Sequence, residues 1–372
     1  MPRTVTPEKR AAACKAEAPF EKAGGPFSIV SDMLRSKGDA WTALLATGYG
    51  RFPRSQAASE GKLNRPSSAP DPMASKGRSN SLPLPGTPLY LPDEADAEAA
   101  LSNPVLGSIG SLEVRLAQSA TDLHRAQRLR YEIFYQEMKA RPGPMRRLLR
   151  RDFDAYDRLC DHLLVLDHQG PPDPDTGGPA VVGTYRLMTQ QVAEQNRGFY
   201  SQSEFDIGTL IGRHPSLRFL ELGRSCVRAP YRSKRTVELL WHGIWSYVVS
   251  RKIDVLFGCA SLEGTDPNAL ALPLAYLHHF AMADARWRTN AVESRFEPME
   301  KLPVEAIDPK KALRALPALV KGYLRLGGKV GEGAVVDHQF GTTDVLIVLP
   351  VEEISHRYIS FYGADAARRK VS

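Results

Sequence analysis

The chain has 372 residues, 42% hydrophobic and 24% charged, a composition that suits a globular protein with a sizeable core and excludes a collagenous or wholly disordered one. Its formal charge of +7 sits mostly at one end, since residues 1–92 hold 13 Lys and Arg against 7 Asp and Glu and the remainder 36 against 35; a nucleic-acid-binding body is not expected. Four cysteines (Cys14, Cys160, Cys226 and Cys259) form no C-x-x-C pair and read as reduced thiols of a cytoplasmic protein without a metal centre, and no apolar run approaches the roughly 18 residues that would span a bilayer.

Residues 1–92 are rich in Pro, Ser, Gly, Lys and Arg, too poor in apolar surface to offset chain entropy, and are expected to be a disordered basic tail. Within them, 27–45 carries enough apolar residues for short amphipathic helices, against the domain or at an anionic membrane surface. A single α/β domain is expected over 93–372.

In that domain Leu112-Glu-Val-Arg-Leu-Ala alternates as a strand does. Ser119-x-x-Asp122 then opens a helix whose apolar positions Leu123, Ala126, Leu129 and Ile133 recur at helical spacing,. His162-Leu-Leu-Val-Leu-Asp and Ala180-Val-Val-Gly-Thr-Tyr-Arg-Leu-Met are two strands joined through a Gly- and Pro-rich stretch, hence a hairpin,. Phe219 begins a fourth strand, followed by a basic turn and a helix over about 236–251. Val255-Leu-Phe-Gly-Cys-Ala is a short buried strand, a helix over 316–326 stops at Gly327-Gly328, and Thr343 opens the last strand,. Strands that meet partly as hairpins and partly through helices predict a central mixed sheet flanked by helices.

Charge falls at particular places on this frame. Arg130 closes the first helix, with Phe134 four residues on, and Asp152, Asp154 and Asp157 precede Asp161 and His162 in one short segment. Carboxylates so crowded repel and need a cationic partner. Two partners compete: the basic run from Arg146 to Arg151 just upstream, or an amine substrate. Arg186 lies on the third strand, and the fourth carries Glu221-x-x-Arg224. Residues i and i+3 of a strand point to opposite faces, so Glu221 and Arg224 face one cleft only if the strand bulges. Such a bulge would release backbone N–H groups to receive a carbonyl oxygen.

Arg130-x3-Phe134, the Asp triplet, Arg186 and Glu221-x-x-Arg224, in that order, resemble the acyl-homoserine lactone synthases, enzymes of GNAT-like fold. Phe153-Asp-x-Tyr-Asp-x-x-Cys-Asp-His-Leu-Leu-Val, Gly183-Thr-Tyr-Arg-Leu, Glu221-Leu-Gly-Arg-Ser-Cys-Val and Tyr231-Arg-x-Lys-Arg-Thr-Val-Glu-Leu-Leu-Trp-His-Gly are similar, more closely, to the L-ornithine Nα-acyltransferases of ornithine-lipid biosynthesis. The resemblance covers about residues 112–350. It implies a GNAT-like acyltransferase fold and transfer of a 3-hydroxyacyl chain from acyl carrier protein to the α-amino group of L-ornithine, forming lyso-ornithine lipid. No bound cofactor is implied, the donor being the phosphopantetheine arm of acyl carrier protein.

The turn after the fourth strand departs from the glycine-rich phosphate loop of coenzyme A-dependent GNAT enzymes. It reads Arg228-Ala-Pro-Tyr-Arg-Ser-Lys-Arg-Thr, so Arg232, Ser233, Lys234, Arg235 and Thr236 are expected to meet one phosphopantetheine phosphate at a helix N-terminus. Under the same resemblance Glu221 is the expected general base, with a salt bridge to Arg224 as its competing role. Asp154 and Asp157, with Asp152 beside them, would hold ornithine's ammonium groups, and Arg130 or Arg186 its carboxylate. Cys226 and Cys259 are expected in the core, His162 orienting the Asp side chains, and His278-His279 on a helix surface. An acyl-homoserine lactone synthase and a non-catalytic carrier- or membrane-binding module are the alternatives. The expected location is the cytoplasm, peripheral to the inner face of the membrane.

Overall fold

A computed structural model describes residues 105–354. The basic tail expected at 1–92, with its helix-forming stretch, lies outside the described residues, as do 355–372.

Strands β1 (Val105–Ile109) and β2 (Leu112–Leu116) form an antiparallel hairpin that the sequence pattern did not reveal. Helix α1 (Ala120–Tyr131) starts where the capping signal places it: Ser119 is extended and its side chain accepts from the Asp122 N–H at 3.1 Å,. The expected helical run to Ile133 is completed by a wider π turn, Glu132–Glu137, in which the Met138 N–H reaches back five residues to the Ile133 carbonyl,. A short exposed helix, α2 (Pro144–Leu149), follows.

Strands β3 (Asp161–Asp167) and β4 (Ala180–Thr189) form the expected antiparallel hairpin. After α3 (Gln190–Glu194), a 3-10 turn (Tyr200–Ser203) and α4 (Ile207–Gly212) comes β5 (Phe219–Val227). Helix α5 (Lys234–Ser250), capped by Ser233, leads to β6 (Val255–Glu263). The C-terminal part adds α6 (Ala271–Ala281), α7 (Pro309–Ala315), α8 (Ala318–Leu326), β7 (Lys329–Val330), β8 (Val335–Asp337) and β9 (Thr342–Pro350). Helix α8 ends at Gly327 in the left-handed conformation, φ 105°, which a residue with a Cβ rarely adopts,.

The strands lie in the order β1-β2-β3-β4-β5-β6-β9-β7, with β8 also on β9, and only β5 and β6 pair in parallel. The sheet is therefore mixed, as expected. On one face α5, α6 and α8 pack their apolar sides, Leu240, Ile244 and Val248 from α5 among them, against Val114, Leu163, Tyr185 and Leu222. The other face is divided. Ala126, Leu129 and Ile133 cover Leu164, Leu166 and Val181, while Phe199, Phe205, Leu210 and Trp287 cover Phe219, Phe257, Leu346 and Val348. No described helix is long and apolar enough to cross a membrane.

Two irregularities of β5 position everything that follows. The β5–β6 ladder runs only from Phe219↔Val255 to Glu221↔Phe257, although β5 continues to Val227 and β6 to Glu263. The backbones touch just beyond that last pair, where a Cβ on Gly258 would lie 2.2 Å from the Leu222 carbonyl oxygen. Backbone cannot move aside as a side chain does, so Gly258→Ala is expected to lose about 1–3 kcal/mol of stability by overpacking, seen as a lower urea midpoint with an unchanged slope.

The second irregularity lies on the β4 side. Gly223 pairs with Arg186 and Cys226 with Thr184, so β5 holds one residue more than β4 between these pairs. Arg224 sits in this bulge with φ 51°, an uncommon conformation for a residue with a Cβ,. The bulge that Glu221-x-x-Arg224 would need for both side chains to share a face is present.

Candidate active site

Six charged side chains meet beneath the bulge. Arg130, with 0% of its surface exposed, donates from Nε to Asp152 Oδ2 at 2.9 Å and from Nη2 to Asp157 Oδ2 at 2.7 Å and to the Asp152 carbonyl at 2.7 Å. Arg186 donates from Nη1 to both Asp154 oxygens at 2.8 Å and to Asp157 Oδ1 at 3.2 Å. Arg224 makes longer contacts, 3.3 Å to Asp154 Oδ2 and 3.5 Å to Asp152 Oδ2. Tyr135 donates its hydroxyl to Asp152 Oδ1 at 3.0 Å.

Three guanidinium groups thus answer three carboxylates, and the segment 152–157 is tied to α1, β4 and β5. Burial alone would raise the Asp157 carboxyl, but Arg130 and then Arg186 hold it well below the ordinary carboxylate range,. Asp154 is lowered in the same way, with Arg186 and Arg224 outweighing burial.

This arrangement corrects two expectations. The upstream basic run is not the partner of the triplet: of its residues Arg146 comes nearest, 3.9 Å from Asp152, and donates instead to the Phe153 carbonyl. Arg130, Asp152 and Asp157 are also not placed to touch ornithine, being 0%, 1% and 2% exposed at the side chain and bonded to one another. Of the six, Asp154, at 15%, and Arg224, at 12%, keep the most side-chain exposure. Phe134 is half-buried and packs edge-on against Phe340, 5.8 Å between ring centres.

Glu221 also has a different setting from the one expected. Its carboxylate accepts from the backbone N–H groups of Tyr200 at 2.9 Å and Ser201 at 2.8 Å, and from the Ser201 hydroxyl. It makes no salt bridge to Arg224 among the described residues. With three donors on it and 6% exposure, Glu221 anchors the 3-10 turn to the sheet and is not poised to take a proton from an amine.

What this anchoring positions is Tyr200, which no motif singles out. Arg224 lies between two rings, 4.7 Å from the centre of Tyr200 and 4.8 Å from that of Phe340,. Its Nη2 also donates to the Tyr200 hydroxyl at 3.4 Å. The guanidinium is oriented by stacking while its hydrogen-bonding edge is held only by long contacts.

The remaining expected residues divide. Ser233 caps α5, Thr236 is fully buried behind it, and Arg232 forms a two-pronged pair with Glu137 at 2.5 and 2.8 Å. Lys234 pairs loosely with Glu238 at 3.6 Å, and Arg235 lies over the β1–β2 turn at Gly110. The five do not converge as one cationic set, which corrects that expectation; at the helix start there remain the first-turn N–H groups of α5 and Lys234.

His162 reaches the Asp157 carbonyl, not an Asp side chain, at 2.9 Å, and burial followed by Arg130 keeps its ring neutral. Burial pushes the Cys226 thiol up to about 12 and raises Cys259 well above its ordinary value, so neither is a nucleophile at neutral pH,. His278 and His279 lie in the last turn of α6, partly buried.

The arrangement can hold a zwitterion beside a bulged strand, a placement that suits acyl transfer to an amine. Residues 129–242 match the family model described as an acetyltransferase (GNAT) domain. The chain is 53% identical over 272 residues to the L-ornithine Nα-acyltransferase of Rhizobium meliloti, covering 73% of this chain and 91% of that protein. It is 52% identical over 273 residues to the same-named protein of Agrobacterium fabrum, covering 73% and 92%. Among solved structures, it is similar to FeeM, an N-acyl amino acid synthase from uncultured soil microbes, at 11% identity, TM-score 0.37 and 66% and 94% coverage. It is also similar to the AHL synthase LasI, at 14% identity, TM-score 0.34 and 64% and 90% coverage. The chain is a GNAT-fold acyltransferase and belongs to the L-ornithine Nα-acyltransferase family.

Proposed function

We propose that this acyltransferase moves a 3-hydroxyacyl chain from the phosphopantetheine thioester of acyl carrier protein to the α-amino group of L-ornithine, giving lyso-ornithine lipid. The observation that carries the reading is the bulged strand. Arg224 projects from it between two aromatic rings, beside the partly exposed carboxylate of Asp154 and next to the point where β5 and β6 part.

Arg224 takes the α-carboxylate of the acceptor and Asp154 its α-ammonium. Asp154 remains ionised at neutral pH, since its two arginines outweigh burial, and suits it as counter-ion better than as base. The ammonium proton leaves to water in the cleft. The amine nitrogen then attacks the thioester carbonyl, the N–C bond forms, the C–S bond breaks, and the departing thiolate takes up the nitrogen's surplus proton, leaving an amide and a thiol. Backbone N–H groups released at the Arg224–Ser225 bulge meet the developing oxyanion. The pantetheine arm enters between β5 and β6, its phosphate at the first turn of α5 with Lys234.

The product is a lipid, and α2 supports a place at an anionic cytoplasmic membrane surface: Met145, Leu148 and Leu149 are 57%, 73% and 43% exposed among Arg146, Arg147, Arg150 and Arg151. Purified protein with 3-hydroxyacyl carrier protein is expected to acylate ornithine in preference to lysine, glycine or S-adenosylmethionine, as resolved by mass spectrometry, and to sediment with phosphatidylglycerol vesicles. Amide formation with no amine would overturn the reading; a homoserine lactone product from S-adenosylmethionine would replace it with the synthase alternative.

A further inference from the structure

A second group of carboxylates lies on the face of the sheet that bears Glu221. Directly paired residues share a face, so the pairs Glu221↔Phe257, Ser261↔Asp344, Val335↔Asp344 and Asp337↔Thr342 bring Glu221, Ser261, Asp344, Asp337 and Thr342 to one side. Glu204 joins them from the end of the Tyr200 turn. One oxygen each of Glu204, Asp337 and Asp344 lies within 4.8 Å of the others.

Like charges this close need a cation. Arg295 reaches Glu204 Oε1 at 3.2 Å, but among the described residues no Lys or Arg pairs with Asp337 or Asp344. Asp337 Oδ1 is occupied by the N–H groups of Gln339 and Phe340, at 2.7 and 3.0 Å, which holds the loop that places Phe340 on Arg224. Asp344 is 7% exposed and Thr342 2%, yet neither Asp344 Oδ1 nor Thr342 Oγ1 has a well-aligned hydrogen-bond partner. Two buried polar atoms without a well-aligned partner, beside a carboxylate pair, mark a place for a ligand with several N–H donors,.

Taking the proposed ornithine acceptor as given, we infer that Glu204, Asp337, Asp344 and Thr342 form the subsite for the acceptor's side-chain ammonium, and so select a dibasic amino acid over a neutral one. The subsite adjoins the reacting centre. Glu204 follows the 3-10 turn that carries Tyr200, and the Cys259 thiol, two residues beyond Phe257 on β6, donates to Glu204 Oε2 at 3.3 Å. An ammonium supplies three donors where the four side chains offer acceptors.

Such a site has a stability signature. Burial, and then the neighbouring Glu204, raise the Asp344 carboxyl to about 7, the Ser261 and Thr342 hydroxyls offsetting part of the rise and Asp337 adding to it; Arg295 and the Cys259 thiol face the cluster through Glu204. An acid whose folded value lies above its unfolded one weakens the fold as pH climbs from the ordinary carboxylate range through the raised value. Asp344→Asn removes that loss, and its thermal midpoint is expected to rise relative to the wild type at pH 8 and to stay close to it at pH 5.

The decisive measurement is the ratio of kcat/KM for ornithine to that for 2-aminopentanoate, which lacks only the terminal amine, in the wild type, Asp344→Asn and Asp337→Asn. The ratio is expected to be large in the wild type and to fall by about 30-fold or more in Asp344→Asn, the size of effect seen when a buried charge pair loses a partner. A wild type that acylates both amino acids alike overturns the subsite and leaves the proposed function standing. Failure to acylate any amino acid overturns both. Retention of the ratio in Asp344→Asn, with a lower midpoint at pH 8, makes the cluster structural; retention with Mn²⁺ binding that Asp344→Asn abolishes assigns it to a metal ion. Either result overturns the inference.

Discussion

Arg130→Met is expected to lose about 3–5 kcal/mol of folding stability, the cost of removing one partner from a buried charge network. A domain of this size is commonly stable by about 5–15 kcal/mol, so the variant will be marginal. The methionine fills much of the volume, and the loss therefore comes from Asp152 and Asp157, 1% and 2% exposed, left without the guanidinium that accepts their charge. Arg186 still reaches Asp157 at 3.2 Å, but it is shared with Asp154.

The pH dependence identifies this cause. In the wild type Asp157 is held below its unfolded value despite burial, so its contribution is present above the ordinary carboxylate range and is lost as pH falls through the lowered value. Without Arg130 burial dominates, Asp157 titrates upward, and the variant should gain more stability than the wild type as pH drops from 7 to 5, the wild type's own gain coming from the raised Asp344 carboxyl,. Urea midpoints at the two pH values measure this. Arg130→Met with Asp157→Asn should recover part of the loss; no recovery would mean that packing, not charge, is what Arg130 supplies.

The pairing behind this expectation was hidden in the sequence for a definite reason. The Asp triplet announces that cations are needed, but the nearest cations along the chain, Arg146 to Arg151, lie on an exposed turn of helix and just after it. The actual partners are Arg130, Arg186 and Arg224, from three elements that only the folded sheet brings together. The β5 bulge, by contrast, was legible as a condition, because a strand has a strict two-residue period and Glu221 and Arg224 share a face only if a residue is inserted. Glu221 itself was legible as a central-strand carboxylate but not as an anchor, since its donors are backbone N–H groups of residues 200 and 201, and backbone groups leave no mark in composition.

Elements were lost on the same grounds. The α6 segment Ala-Leu-Pro-Leu-Ala-Tyr-Leu is apolar at every position, so no face stands out and only its end at His278-His279 reads as helix. Strands β7 and β8 have two and three residues, too few for alternation to show. Glu204 lies more than a hundred residues before Asp337 and Asp344, and the three carry no local motif; Asp337 and Asp344 are brought together by β8 pairing with β9, and Glu204 joins them from the Tyr200 turn.

Arg224→Lys keeps the positive charge and should still cost about 10²–10³-fold in kcat/KM for ornithine, equivalent to losing one well-oriented buried charged contact. The guanidinium is flat and lies between Tyr200 and Phe340 at 4.7 and 4.8 Å, an arrangement that fixes its plane and leaves its edge for a two-pronged carboxylate contact. A lysine ammonium neither stacks in this way nor offers two parallel donors. The left-handed backbone at φ 51° sets where the side chain leaves the strand, and lysine inherits it, so altered folding does not explain the loss. The control is 1,4-diaminobutane, ornithine without its carboxylate. The wild type should prefer ornithine strongly, and Arg224→Lys should reduce that preference because the lost interaction belongs to the carboxylate. If the variant is slow on both amines with the preference intact, Arg224 serves the bulge geometry and the oxyanion, and the carboxylate must be held by another residue.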